Sequence, residues 1–269
     1  MSLQQAGARL SAAFAGRAVG ELPGLIPYVT AGFPHRDDTP ALLAAAERAG
    51  CLAAEVGLPF SDPLADGPTI QRTSQRALEN GMTVNLALEQ VARARAQGVG
   101  LPLALMTYVN PVLSYGQDRF AGDAAAAGAD ALIVPDVPLE EAGQLRAAAD
   151  AAGLALILLV APTTPDARLA TACAHASGFV YCVSVTGITG ARTEIAQEAM
   201  DLLDRVRRVT DLPRALGFGL SRHEHLEALR GHAEGAVVGS ALLNAVAANE
   251  SDPAGAAETF LRGMLGGGA

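Results

Sequence analysis

Leu154-Ala-Leu-Ile-Leu-Leu-Val-Ala161 is apolar at every position and far too short to span a bilayer. A strand with one wet face alternates apolar and polar residues, so an unbroken run reads as a strand buried on both faces of a parallel sheet. With that strand placed at 155–160, seven similar runs flank it at 25–29, 52–57, 103–108, 131–135, 179–183, 215–218 and 236–238. The intervening stretches are rich in Ala, Leu, Glu and Arg at helical spacing. Just before the quoted run, Leu139, Ala142, Leu145 and Ala149 fall on one side of a helix. Further on, Ser221 and Glu224 have capping-box spacing and predict a helix over 222–230. Eight strands alternating with helices form a barrel or a doubly wound sheet, and eight near-regular units favour the barrel. The expected fold is α/β, a single (β/α)8 TIM barrel over 1–269 with an additional N-terminal helix at 4–15. Three consecutive glycines predict a frayed tail at 263–269.

The formal charge of −9 argues against nucleic acid, whose phosphates are met chiefly by Lys and Arg. A start without basic residues or an apolar core predicts a cytoplasmic protein. Cys51, Cys173 and Cys182 have no metal-like spacing and read as reduced core thiols; no metal site is expected. All 19 basic residues are arginine. Without lysine, a Schiff-base, P-loop or covalent pyridoxal mechanism is excluded for this chain, and no cofactor is expected.

Two long connections follow strands: 59–73, with three prolines and two aspartates, and 184–193, rich in Gly and Thr. Long loops in compact domains are commonly functional, and barrel enzymes keep their active sites at the strand ends. Glu55 is the sole charge in Cys51-Leu-Ala-Ala-Glu-Val-Gly-Leu58. A buried carboxyl has its pKa raised and suits general acid–base work, unless an arginine or backbone amides pair it structurally. Asp62 and Asp66 each precede Pro or Gly and read either as turn caps or as a second carboxylate beside Glu55. Gly187-Ile-Thr-Gly190, Gly217-Phe-Gly219 and Gly239-Ser240 follow strands. Backbone N–H groups there can hold a phosphate without lysine, although glycine also serves tight turns. His223, His225 and His232 read as solvated surface residues.

The run Glu55-Val-Gly-Leu-Pro-Phe-Ser-Asp-Pro-Leu-Ala-Asp-Gly-Pro-Thr-Ile-Gln71 resembles the signature of the tryptophan synthase α-subunit family. Pro27-Tyr-Val-Thr-Ala-Gly-Phe-Pro34, Met106-Thr-Tyr-Val-Asn-Pro111, Pro135-Asp-Val-Pro138 and Tyr181-Cys-Val-Ser-Val-Thr-Gly-Ile-Thr-Gly190 agree in order. The resemblance implies retro-aldol cleavage of indole-3-glycerol phosphate to indole and glyceraldehyde 3-phosphate. It assigns proton transfer at indole C3 and the glycerol hydroxyl to Glu55, and acceptance of the indole N–H to Asp66. Thr189 is then expected to position Asp66 on loop closure. Gly190, Gly219, Gly239 and Ser240 fall at phosphate positions, and Tyr28, Met106, Leu159, Tyr181 and Phe218 at the indole pocket. Tyr28 stands where many relatives have phenylalanine, and Val185 where some have arginine. The implied partner is a pyridoxal-dependent β subunit in an α2β2 heterotetramer, docking on the active-site face around 59–69 and receiving the indole. A stand-alone lyase releasing free indole uses the same residues and is the alternative. An activating subunit without turnover is disfavoured by the intact Glu55 and Asp66.

Overall fold

A computed structural model describes residues 7–17, 20–183, 195–217 and 219–266. Eight parallel strands close into a barrel in sequence order. They are β1 (Gly24–Thr30), β2 (Ala54–Gly57), β3 (Leu103–Met106), β4 (Ala131–Ile133), β5 (Ala155–Val160), β6 (Val180–Val183), β7 (Arg214–Gly217) and β8 (Gly235–Val238). Helix α1 (Ala8–Ala15) precedes the barrel. The first half then carries α2 (Thr39–Ala49), α3 (Pro68–Glu79), α4 (Val84–Ala96), α5 (Val109–Tyr115) and α6 (Gln117–Ala127). The second half carries α7 (Gly143–Ala152), α8 (Asp166–His175), α9 (Gln197–Arg207), α10 (His223–Ala228), α11 (Ser240–Ala247) and α12 (Pro253–Met264). No helix among the described residues is long and apolar enough to cross a membrane.

The unbroken apolar strands have two buried faces, as their composition demands. Outward residues such as Leu25, Val56, Leu105, Leu132 and Leu156 join the helices in one large core. Inward residues form a second, smaller core inside the barrel. Its lower level is built from alanines, Ala104, Ala131, Ala155 and Ala215 on four strands and Ala53 just before β2. Side chains that short leave the barrel base unfilled, and α1 completes it. Leu10 and Phe14 enter from α1, with the Phe14 ring 5.5 Å from that of Phe179. The additional helix is thus a plug, which explains why its apolar residues are conspicuous in an otherwise separate segment.

Asp130 ties this base together. Its carboxylate accepts from Arg9 at 2.9 Å, Arg95 at 2.9 Å and the Leu103 backbone N–H at 2.8 Å, joining α1, α4 and β3.

Several boundaries differ from those read in the sequence. The connection after β2 is shorter than expected, because α3 begins at Pro68, a residue well suited to a first helical turn. Helix α12 runs through Met264, so the first two residues of the expected tail are helical, with Met264 buried. Residues 4–6 of the predicted first helix lie outside the described residues. The predicted capping box is not formed: α10 starts at His223 behind an extended Arg222 and has no side-chain cap. The Ser221 N–H donates instead to Nδ1 of His225, at 3.1 Å. His225 is therefore a buried helix residue and not the solvated one expected, while His223 and His232 are only partly covered. Cys173 and Cys182 are buried and Cys51 partly so, all three as free thiols.

Candidate active site

A cavity of about 390 Å³ opens at the carboxyl ends of the strands. Strand geometry alone dictates its lower lining, since alternate residues point inward. On β2 the inward positions are Glu55 and Gly57; on β1 the register partner of Glu55 is Tyr28. Met106, Leu159, Tyr181, Val183, Val237 and Gly239 supply the remaining wall from β3, β5, β6 and the end of β8. From the loop after β2 come Ala65, Asp66 and Gly67, with Ile70 from the start of α3.

Two strand glycines make the tyrosines possible. A Cβ on Gly57 would stand 1.9 Å from the Tyr28 hydroxyl oxygen, and one on Gly217 2.4 Å from that of Tyr181. Each large inward ring is accommodated by an absent side chain on the next strand. Gly57→Ala is accordingly expected to push Tyr28 out of place, costing about 1–3 kcal/mol of stability. Denaturant midpoints measure the loss.

Glu55 is 1 % exposed and neither of its carboxyl oxygens has a hydrogen-bond partner among the described residues. Burial in this apolar pocket pushes its pKa up to about 8. At neutral pH the group is a carboxylic acid with a transferable proton. Asp66 is partly buried, and desolvation raises it to about 6 against the opposing hydrogen bond from Tyr108. It is therefore mostly ionised at pH 7. One cavity thus holds a proton donor and a separate carboxylate, the division of labour that distinct environments give to paired carboxyls.

Tyr108, just past β3, has a part the sequence reading missed. Its hydroxyl accepts the Ala65 N–H at 3.1 Å, which leaves its own proton for Asp66, and its ring lies 5.5 Å from Phe60. The loop after β2 is thereby held near both ends. Its quoted motif, Met106-Thr-Tyr108, carried the signal, but nothing in the spacing shows which loop a strand-end tyrosine will meet. Asp62 lies away from the cavity, exposed and accepting from the neighbouring Ser61 hydroxyl at 2.5 Å.

Gly219, Gly239 and Ser240 also line the cavity. Gly219 has φ +81°, a left-handed conformation that glycine adopts without strain. Ser240 opens α11, whose first turn has neither a side-chain cap nor an acidic residue, so its N–H groups and dipole suit an anion. The helix after Gly219 begins only at His223, so that glycine acts through its own loop. Of the site residues named from the sequence, Tyr28, Glu55, Asp66, Met106, Leu159, Tyr181, Gly219, Gly239 and Ser240 meet at this cavity. Thr189, Gly190 and Phe218 lie outside the described residues, as does Val185. Pro135, Val183 and Val237 were missed, although inward parity on their strands points to the latter two.

Residues 16–263 match the family described as tryptophan synthase alpha chain. A tryptophan synthase alpha chain from Chloroflexus aggregans is 51% identical over 220 residues, covering 82% of each chain. Tryptophan synthase from Saccharomyces cerevisiae is 42% identical over 245 residues, spanning 90% of this chain and 35% of the yeast protein. Among solved structures, Mycobacterium tuberculosis tryptophan synthase superposes with a TM-score of 0.87 at 37% identity, covering 96% of this chain and 97% of that one. A tryptophan synthase complex from Pyrococcus furiosus gives 0.84 at 38% identity, covering 90% and 98%.

Proposed function

The chain belongs to the tryptophan synthase alpha chain family, and from that membership we propose how its two carboxyl groups divide the work of the family's reaction. The enzyme is a carbon–carbon lyase that cleaves indole-3-glycerol phosphate to indole and glyceraldehyde 3-phosphate. Glu55, buried, without a partner among the described residues and protonated at neutral pH, is the observation that carries the assignment.

Breaking the bond at indole C3 requires a proton on that carbon while positive charge develops at the ring nitrogen. Glu55 delivers the proton, and ionised Asp66 accepts the ring N–H and stabilises the cation. The Glu55 carboxylate then takes the proton from the adjoining glycerol hydroxyl. The carbon–carbon bond breaks, its electron pair returns to the ring, and the hydroxyl carbon leaves as an aldehyde. Glu55 ends protonated, ready for another turnover. Gly219, Gly239 and Ser240 hold the phosphate, and Tyr28, Met106, Leu159 and Tyr181 enclose the indole. Thr189, Gly190 and Phe218 complete these sets in the same reading.

The partner in this reading is a pyridoxal-dependent β subunit, seated on the active-site face in an α2β2 assembly and receiving indole internally. Leu64, 92 % exposed in the loop beside Asp66, and Leu113 on α5 give that face unpaired apolar contacts. Glyceraldehyde 3-phosphate release from indole-3-glycerol phosphate, followed with and without a β subunit, tests both points. Slow release that the partner accelerates supports the assembly. Fast release indifferent to it favours a stand-alone lyase, and no release in either condition removes the roles assigned here.

The two raised carboxyls also set a pH profile. Cleavage needs Asp66 ionised, above about 6, and Glu55 protonated, below about 8. A plot of kcat/KM should rise through the first value and fall through the second, with Asp66→Asn removing the acid limb. Activity continuing level well above pH 8 would mean that Glu55 is not the proton donor.

A further inference from the structure

Tyr28 and Glu55 are register partners on β1 and β2, and both face the cavity. The Tyr28 hydroxyl fills the space above Gly57, 1.9 Å from where a Cβ would stand. Gly57 is two residues beyond Glu55 on the same strand, so its inward side is continuous with that of Glu55. The hydroxyl, hydrogen-bonded to the Thr30 side chain, is therefore held on the same face as a carboxyl group whose two oxygens have no partner among the described residues. The titratable groups facing Glu55 are Tyr28 from β1, Asp66 from the loop after β2 and Tyr181 from β6. Tyr181 stands across the barrel with its hydroxyl against Gly217, and Asp66 is engaged by Tyr108. Neither arginine nor histidine lines the cavity among the described residues.

We propose that Tyr28 is a positioning residue for Glu55, its hydroxyl donating to the carboxylate left when the proton has gone to the ring carbon. The inference rests on the proposed role of Glu55 and deepens it. An acid that must become a base within one turnover has to survive as an anion in a site whose burial disfavours charge. A hydroxyl donor favours the charged form and forms a charge-assisted bond with it. Tyr28 keeps its proton throughout the working range, because burial and the nearby Asp66 hold its pKa well above 10. The last torsion of Glu55, broad in any glutamate, is the motion that closes the pair.

Tyr28→Phe removes the donor and keeps the ring. The basic limb of kcat/KM should move up by about one pH unit, with kcat down about tenfold and KM within about twofold. A limb that stays in place while KM rises would show the hydroxyl contacting substrate, and would overturn the proposal. A second measurement needs no turnover. Carboxyl-labelled glutamate titrated by 13C NMR, with the Glu55 signal assigned by its loss in Glu55→Gln, should show a higher midpoint in Tyr28→Phe than in the parent. Equal midpoints sink the proposal. Cleavage surviving in Glu55→Gln would defeat the parent mechanism instead, leaving the NMR comparison to report on Tyr28 alone.

Discussion

Glu55→Gln is expected to lose cleavage by about 10³-fold while becoming the more stable protein at neutral pH. The activity loss follows from removing the group that handles both protons, when general acid–base contributions run to about 10²–10⁴. The gain in stability follows from linkage. Glu55 has a folded pKa of about 8 against an ordinary value of 4.5, so between those values the native state binds a proton that the unfolded chain has released. Stability therefore falls as pH rises through this window, by about 1.4 kcal/mol per unit, and at pH 7 the accumulated loss is roughly 3 kcal/mol. Glutamine never ionises and occupies the same volume. The variant should recover most of that amount at pH 7 and almost none near pH 4, as measured by urea unfolding across the range. Cleavage within tenfold of the parent would remove Glu55 from the chemistry. A pH-independent difference in stability would mean that its proton is not held as its burial implies.

Asp130→Asn should cost about 3 kcal/mol, roughly 6–10 °C in Tm for a chain of this size. The carboxylate is 8 % exposed and stands between two guanidiniums, those of Arg9 and of Arg95, the latter 15 % exposed. Desolvation and the neighbouring Arg9 already lower the Arg95 pKa, with Asp130 opposing both. Without the negative charge, two cations face each other at the barrel base, and the amide can satisfy only some of the donors now converging there. Because this is the end opposite the cavity, KM and kcat at a temperature where the variant is folded should be unchanged. A stability loss under 1 kcal/mol would show that Arg95 is held well enough by its contacts with the Gly128, Val99 and Leu101 carbonyls.

What could be read ahead of the coordinates was whatever depends on a residue and its near neighbours. Double-sided burial makes a strand uniformly apolar, so eight such runs announced the barrel, and the one carboxyl inside such a run stood out as Glu55. The family resemblance named Tyr28, Met106, Leu159 and Tyr181 on the cavity wall, and glycines after strands marked Gly219 and Gly239. Local signals also erred when a tertiary contact outbid them. Ser221 and Glu224 had the spacing of a cap, but His225 took the Ser221 N–H and was buried in doing so. The start of α3 was a different case: Pro68 was visible as a helix opener and was read as loop.

The sequence by itself determined that this chain alternates strands and helices around a buried sheet, that it does its chemistry without lysine, and that Glu55 and Asp66 belong to one mouth. Tertiary structure alone decided that α1 plugs the alanine-lined base, that Tyr108 anchors the Asp66 loop, and that Tyr28 lies over Gly57. Those facts concern residues tens of positions apart that meet only when the barrel closes. Burial raises a pKa, and an absent Cβ makes room for a ring, only in the company of particular neighbours, and strand order and register supply that company.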